Sequence, residues 1–169
     1  MRSRLFAFFA MLLACAFVPS AFAGFGFFRK PVVDMPVSLA KGVVTTNEFG
    51  SKSDEHYLIL VRAQRRFPFD QMTCMMGVFF GGPNPSMCDP KPMLKADWWV
   101  KEGDKLIAFD EVGYDGSGAS SDRTLDRYLG TFAGNAGHKY VLTVRFTADG
   151  SRLNSANPRL IVEITKPWD

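Results

Sequence analysis

In the stretch 138–147, HKYVLTVRFT, the large apolar residues Tyr140, Leu142, Val144 and Phe146 occupy every second position. Side chains of an extended chain leave on opposite faces in turn, so a period of two reads as a strand with one face buried. The signature recurs. In 31–39, Val33, Met35, Val37 and Leu39 share one side, and Pro36 suits an edge, where its missing N–H breaks no ladder bond. The run VVTTN at 43–47 favours a strand, and YLILVR at 57–62 is apolar without alternation, as expected of a strand covered on both faces. Two runs at 96–100 and 106–112 flank the hairpin turn Glu102-Gly103-Asp104, and alternation sends Trp98 and Val100 to one face and Trp99 to the other. Runs at 127–132 and 160–165 complete the set. Short strands punctuated by Gly, Pro, Asn and Asp predict a mainly β protein, an antiparallel β-sandwich of immunoglobulin-like or jelly-roll-like form.

One short helix near residues 70–76 interrupts this pattern. Phe67-Pro68-Phe69 reads as a turn, Asp70 as an N-cap, and Gly77 as the C-terminal stop. Cys74 falls on this helix, and Gly81-Gly82-Pro83-Asn84-Pro85, which continues neither helix nor central strand, carries the chain round to Cys88. The polar stretch 113–126 reads as a long mobile loop.

The start of the chain bears on compartment. Arg2 and Arg4 precede an apolar run, and Ala21-Phe22-Ala23 offers the small residues a signal peptidase reads, so residues 1–23 are expected to be a signal peptide. Pro19 and Ser20 end the run short of the roughly 20 apolar residues a spanning helix needs. Lipidation at Cys15 is the alternative within export. Against it stand the bulk of Leu13, the continuation of the apolar run past Cys15, and the cleavage site that follows. Residues 24–30, GFGFFRK, then form a flexible tail, and 31–169 a single sandwich domain in the periplasm or outside the cell.

Cleavage changes the charge and the cysteine count. The segment removes two arginines and no acid, so the formal charge of +3 falls to +1. A near-neutral surface of mixed sign gives no field for nucleic acid or an anionic membrane. Of three cysteines, Cys74 and Cys88 remain. An even pair in an oxidising compartment is expected to form one disulfide, closing a short loop that contributes about 3 kcal/mol in the chain-entropy model. A reactive thiol needs a CxxC arrangement or a neighbouring base, and the sequence shows neither.

Few residues point to chemistry. His56 and His138 lie outside any zinc-ligand spacing, and no GxSxG elbow or phosphate-binding glycine loop occurs. Asp115, Asp122 and Asp126 are oxygen ligands of the kind calcium uses, without the spacing of an EF-hand loop. No metal or cofactor is therefore expected. Catalysis is left to carboxylates such as Asp97, Asp110 and Glu111, which a glycan hydrolase needs in facing pairs. For binding, the candidates are the aromatics Trp99, Tyr114, Tyr128 and Trp168, and Arg65 and Arg66, which follow a strand and can grip an anion.

The closing pattern YVLTVRFTADGSRLNSANPRLIVEI, about a quarter of the chain, resembles small exported bacterial β-sandwich domains of unassigned function. The resemblance implies a fold and a compartment and transfers no catalytic residue. The expected function is an exported, non-catalytic binding or protein-interaction module of the cell envelope, an immunity or inhibitor-type protein among the forms it takes. The alternative is an envelope glycan-binding protein, or a hydrolase using paired carboxylates. The partner is thus another protein or an envelope glycan; its identity and the oligomeric state stay open.

Overall fold

The computed structural model describes residues 31–80, 88 and 91–165. The expected signal peptide, the 24–30 tail, the turn at 81–85 and Trp168 lie outside the described residues. Within them the chain runs β1 (Pro31–Pro36), β2 (Gly42–Thr45), β3 (Glu55–Gln64), α1 (Phe69–Met76), β4 (Ala96–Glu102), β5 (Lys105–Val112), β6 (Gly118–Ser120), β7 (Thr124–Gly134), β8 (Val141–Phe146), a 3-10 helix (Ser151–Ala156) and β9 (Arg159–Thr165). A five-stranded sheet in the order β1-β9-β3-β7-β6 packs on a four-stranded sheet in the order β2-β8-β4-β5. The pairings between these strands are antiparallel, so the expected antiparallel sandwich is the observed architecture.

The alternating residues of the sequence fill the space between the sheets. Tyr140, Leu142, Val144 and Phe146 are buried, as are Trp98 and Val100 of β4, while Trp99 is half-buried on the other side of its sheet. Trp98 reaches across the sandwich, and its indole N–H donates to the carbonyl of Leu129 at 3.0 Å. That bond is what allows so large a polar-tipped ring to be buried. At one end Tyr57 stacks on Phe132 with centroids 4.8 Å apart, and Tyr140 meets Phe132 edge-on at 5.5 Å. The hydroxyl of Tyr140 accepts from the backbone N–H of Asn135, whereas that of Tyr57 has no partner among the described residues. Burial pushes the Tyr57 phenol upward from its ordinary pKa, since no donor compensates a phenolate there.

α1 lies over the core through Met72, Met75 and Met76. It ends as expected at Gly77, whose φ of 67° suits the residue type without a Cβ, and whose N–H returns to Cys74 O. Its start differs from expectation. The N-cap is Pro68 and makes no side-chain bond, and Asp70 sits inside the first turn. Proline fixes φ near the value that a helix entry tolerates, so the helix begins two residues earlier than an Asp70 cap would set it. Cys74 and Cys88 are joined, with Cα atoms 5.4 Å apart.

The stretch 113–126 is not a long loop. It folds back as β6, which pairs with the start of β7, and Asp126 is a buried strand residue at 7% exposure. Its polarity misleads because its polar groups are internally paired: Ser121 Oγ bonds Thr124 Oγ1 at 2.9 Å and accepts from the N–H of Thr124 at 3.0 Å. Arg127 locks the stretch to α1. Its guanidinium, 1% exposed, donates to Gly77 O at 2.6 Å and Gly113 O at 3.1 Å. Gly116 packs flat against it, where a Cβ would stand 2.0 Å from Nη1. Burial lowers the Arg127 pKa, an effect that Asp115 partly offsets.

Candidate functional site

The two sheets turn very different outer faces to their surroundings. On the five-stranded sheet, Leu58, Leu60 and Ile161 form a small second cluster with Tyr128 packed against it, and Leu60 and Ile161 are each 1% exposed. This is why 57–62 shows no alternation: both faces of β3 are covered. The cover is ionic at its surface. Arg62 donates to both carboxylate oxygens of Asp126, at 2.8 and 2.7 Å, and to Glu163 at 3.2 Å. In the strand register Arg62 lies beside Asp126 and Arg159, whereas Glu163 lies beside Leu58, so the Arg62 side chain spans the Leu60–Ile161 row to reach it. Its apolar stem shields leucine and isoleucine while its head is neutralised. The hydrogen bond to Asp126 raises the Arg62 pKa further above its ordinary value, against the opposing effect of burial.

The four-stranded sheet presents the opposite arrangement. Its outer face carries rows set by register: Thr45, Thr143, Trp99 and Phe109; then Val43, Arg145, Asp97 and Glu111; then Val141, Lys101 and Leu106. Phe109 is 71% exposed, Val43 62% and Leu106 50%. Asp97 is held by Arg145 on the same face. The result is a face with an aromatic pair on β4 and edge strand β5 and an ion pair on the two central strands.

Among the candidates, Trp99 is on this open face, Tyr128 is on the sealed one, and Tyr114, 47% exposed, is in the connection from β5 to β6. The structure therefore does not gather the three aromatics. Arg65 and Arg66 also part company. Arg65 lies over the Phe69 ring at 4.8 Å and donates to Ser121 O at 3.1 Å, whereas Arg66 turns back to Gln64 Oε1 at 2.9 Å. Phe109, absent from the sequence candidates, is the residue paired with Trp99. A bulge between Val100 and Lys101 in the register sets this partnership. A regular two-residue hairpin would oppose Trp99 with Ala108, and no sequence signal marks the extra residue.

The carboxylates do not assemble a facing pair. Asp97 and Glu111 are cross-strand neighbours on the flat face, and Asp97 is occupied by Arg145. Asp110 opposes Trp98 and accepts from the N–H of Glu111 at 2.8 Å. Asp110 and Glu111 both border an open groove of about 330 Å³, but consecutive strand residues leave on opposite faces. The three aspartates considered for calcium are also apart in role: Asp126 serves Arg62, Asp115 faces Arg127, and Asp122 is exposed in the β6–β7 turn. His138 Nδ1 stands 2.6 Å from Glu102 rather than beside another ligand. Among the described residues, no group of three or more His, Cys, Asp or Glu is placed to hold a metal ion. No helix among them is long and apolar enough to cross a membrane.

No protein-family model matches the chain, and no curated protein does. It is similar in fold to a protein from Sulfurospirillum deleyianum of known crystal structure, with a TM-score of 0.57 at 13% identity over 81% of this chain and 98% of that one. At such identity the likeness concerns the fold alone.

Proposed function

We propose that this is an exported, non-catalytic interaction module that docks another envelope protein on the outer face of its four-stranded sheet. The observation that carries the reading is Phe109, 71% exposed beside Trp99 on a flat face, while the equivalent face of the other sheet is closed. A protein partner fits the surroundings best. Apolar Phe109 and Leu106 on edge strand β5, Trp99 on β4 and Val43 on edge strand β2 flank the central Arg145–Asp97 pair, with Lys101 and Glu111 beside them, a mixture of aromatic, aliphatic and charged groups of both signs such as protein interfaces use. An anionic bilayer would meet carboxylates there, and edge pairing with a second copy is opposed by the bulge in the β4–β5 ladder, which twists the edge strand. An inhibitor or immunity protein would use such a face to cover the working surface of its target. Export is supported by the disulfide between Cys74 and Cys88 and by the signal-like segment 1–23.

The test is photo-crosslinking in the exporting cell, with a photoreactive residue in place of Phe109 or, as the comparison, of Thr131 on the closed face. One saturable adduct of defined mass from position 109 and none from 131 is expected. Equal adducts from both, or none from 109, would refute the assignment.

A further inference from the structure

Apart from the docking face, the five-stranded sheet ends in a groove of about 540 Å³ with polar side chains set between apolar walls, within the size range of small-ligand sites. It lies where β3 leaves the sheet, β7 and β9 begin, and the 3-10 helix crosses. We propose that this groove binds a sugar carrying a carboxylate or a phosphate.

The cationic part comes from three guanidinium groups. Arg62 and Arg159 line the groove, and each uses Nε and one terminal nitrogen on its own partners, Arg62 on Asp126 and Glu163, Arg159 on Asp34. Their Nη1 groups donate to none of the described residues. Arg66 stands at the rim through its bond to Gln64, with no carboxylate within 4.0 Å among the described residues. It is the uncompensated charge, so an anionic group gains most by meeting it. Arg65 and Arg123 stand nearby at the β6–β7 turn, joined by the Arg65 N–H to Arg123 O bond of 2.9 Å, and neither has a carboxylate partner.

The rest of the lining suits hydroxyl groups rather than a bare ion. Gln64 Oε1 already accepts from Arg66 and from Asn157, which orients both carboxamides and leaves the Gln64 amide N–H groups and the Asn157 carbonyl to face a ligand. Asn157 holds φ at 49° as the cap of the 3-10 helix, so its backbone is fixed where it is used. Pro36 and Pro158 supply rigid apolar walls for the C–H face of a ring.

The test is an amide-resonance titration of the exported protein with galacturonate, glucose 6-phosphate, glucose and inorganic phosphate in turn. Saturable shifts at Gln64, Thr124 and Asn157 with an anionic sugar and not with glucose are expected, falling as salt is raised. Arg66→Gln, an exposed change that leaves the fold intact, should weaken that binding about tenfold. Response to one of the two anionic sugars alone identifies the anionic group. No shift with either, equal affinity for inorganic phosphate, or affinity unchanged in Arg66→Gln would each overturn the proposal. None of these results depends on whether Phe109 docks a partner.

Discussion

The outer face of the five-stranded sheet and that of the four-stranded sheet begin from similar raw material and end differently. Both carry large apolar side chains at central positions. Over Leu60 and Ile161 the chain lays an arginine stem anchored at Asp126 and Glu163; over Trp99 and Phe109 it lays nothing described. Covering apolar surface is within this chain's means, and among the described residues the four-stranded sheet is where it is not done. Exposed apolar groups on a flat face weaken solubility and favour association, so their presence on one face alone marks that face for contact.

Removing the cover should have the largest effect. Arg62→Ala strips the cation from two carboxylates that are 7 and 8% exposed as residues, and is expected to cost about 3 kcal/mol or more in urea unfolding. The variant should also bind an apolar dye that the parent does not. Arg62→Lys should recover only part of the loss, because an ammonium cannot span Asp126 bidentately. A stability change below about 1 kcal/mol would show that the ion cluster does not hold that face closed.

Replacing both Cys74 and Cys88 by alanine should cost about 3 kcal/mol. The bridge ties α1 and belongs to neither outer face, so the adduct formed at position 109 should persist under conditions where the variant is still folded. Loss of the adduct with the fold intact would mean that the bridge also shapes the docking face.

A smaller effect contrasts a satisfied polar group with an orphaned one on the same strand. Arg62 is held by two carboxylates outside the core, while Tyr57 buries a hydroxyl with no partner among the described residues inside it. Tyr57→Phe is expected to raise stability by roughly 1 kcal/mol, because it removes a desolvated group and no bond. The phenol is raised in the folded state, so its contribution is complete below the unfolded value near 10.0 and is lost as pH rises above it, where the unfolded chain releases its proton first. Wild-type stability should thus fall above about pH 10 more steeply than that of Tyr57→Phe.

The sandwich itself was legible from alternation, because burial of one face imposes a period of two: Tyr140 to Phe146 and Trp98 with Val100 point inward as read. Gly77 stops its helix for the reason its residue type suggests. What escaped the reading are features decided by partners distant along the chain. The polar stretch 113–126 is ordered by β7 and by Arg127, and Asp126 is claimed by Arg62 at a separation of 64 residues. Phe109 lies opposite Trp99 only because of a bulge, and the sequence has no local mark of where a ladder slips by one residue. Arg65 and Arg66, read as one anion grip, lie past the end of β3 and turn to different partners, Phe69 and Gln64.

The most direct test of the docking face pairs stability with capture in one variant, Phe109→Ser. With 71% of the residue already exposed, the unfolding free energy should stay within about 0.5 kcal/mol of the parent. The adduct formed by a photoreactive residue at the neighbouring position Leu106 should at the same time disappear. Retention of that adduct in a fully folded Phe109→Ser protein would contradict the assignment of this face.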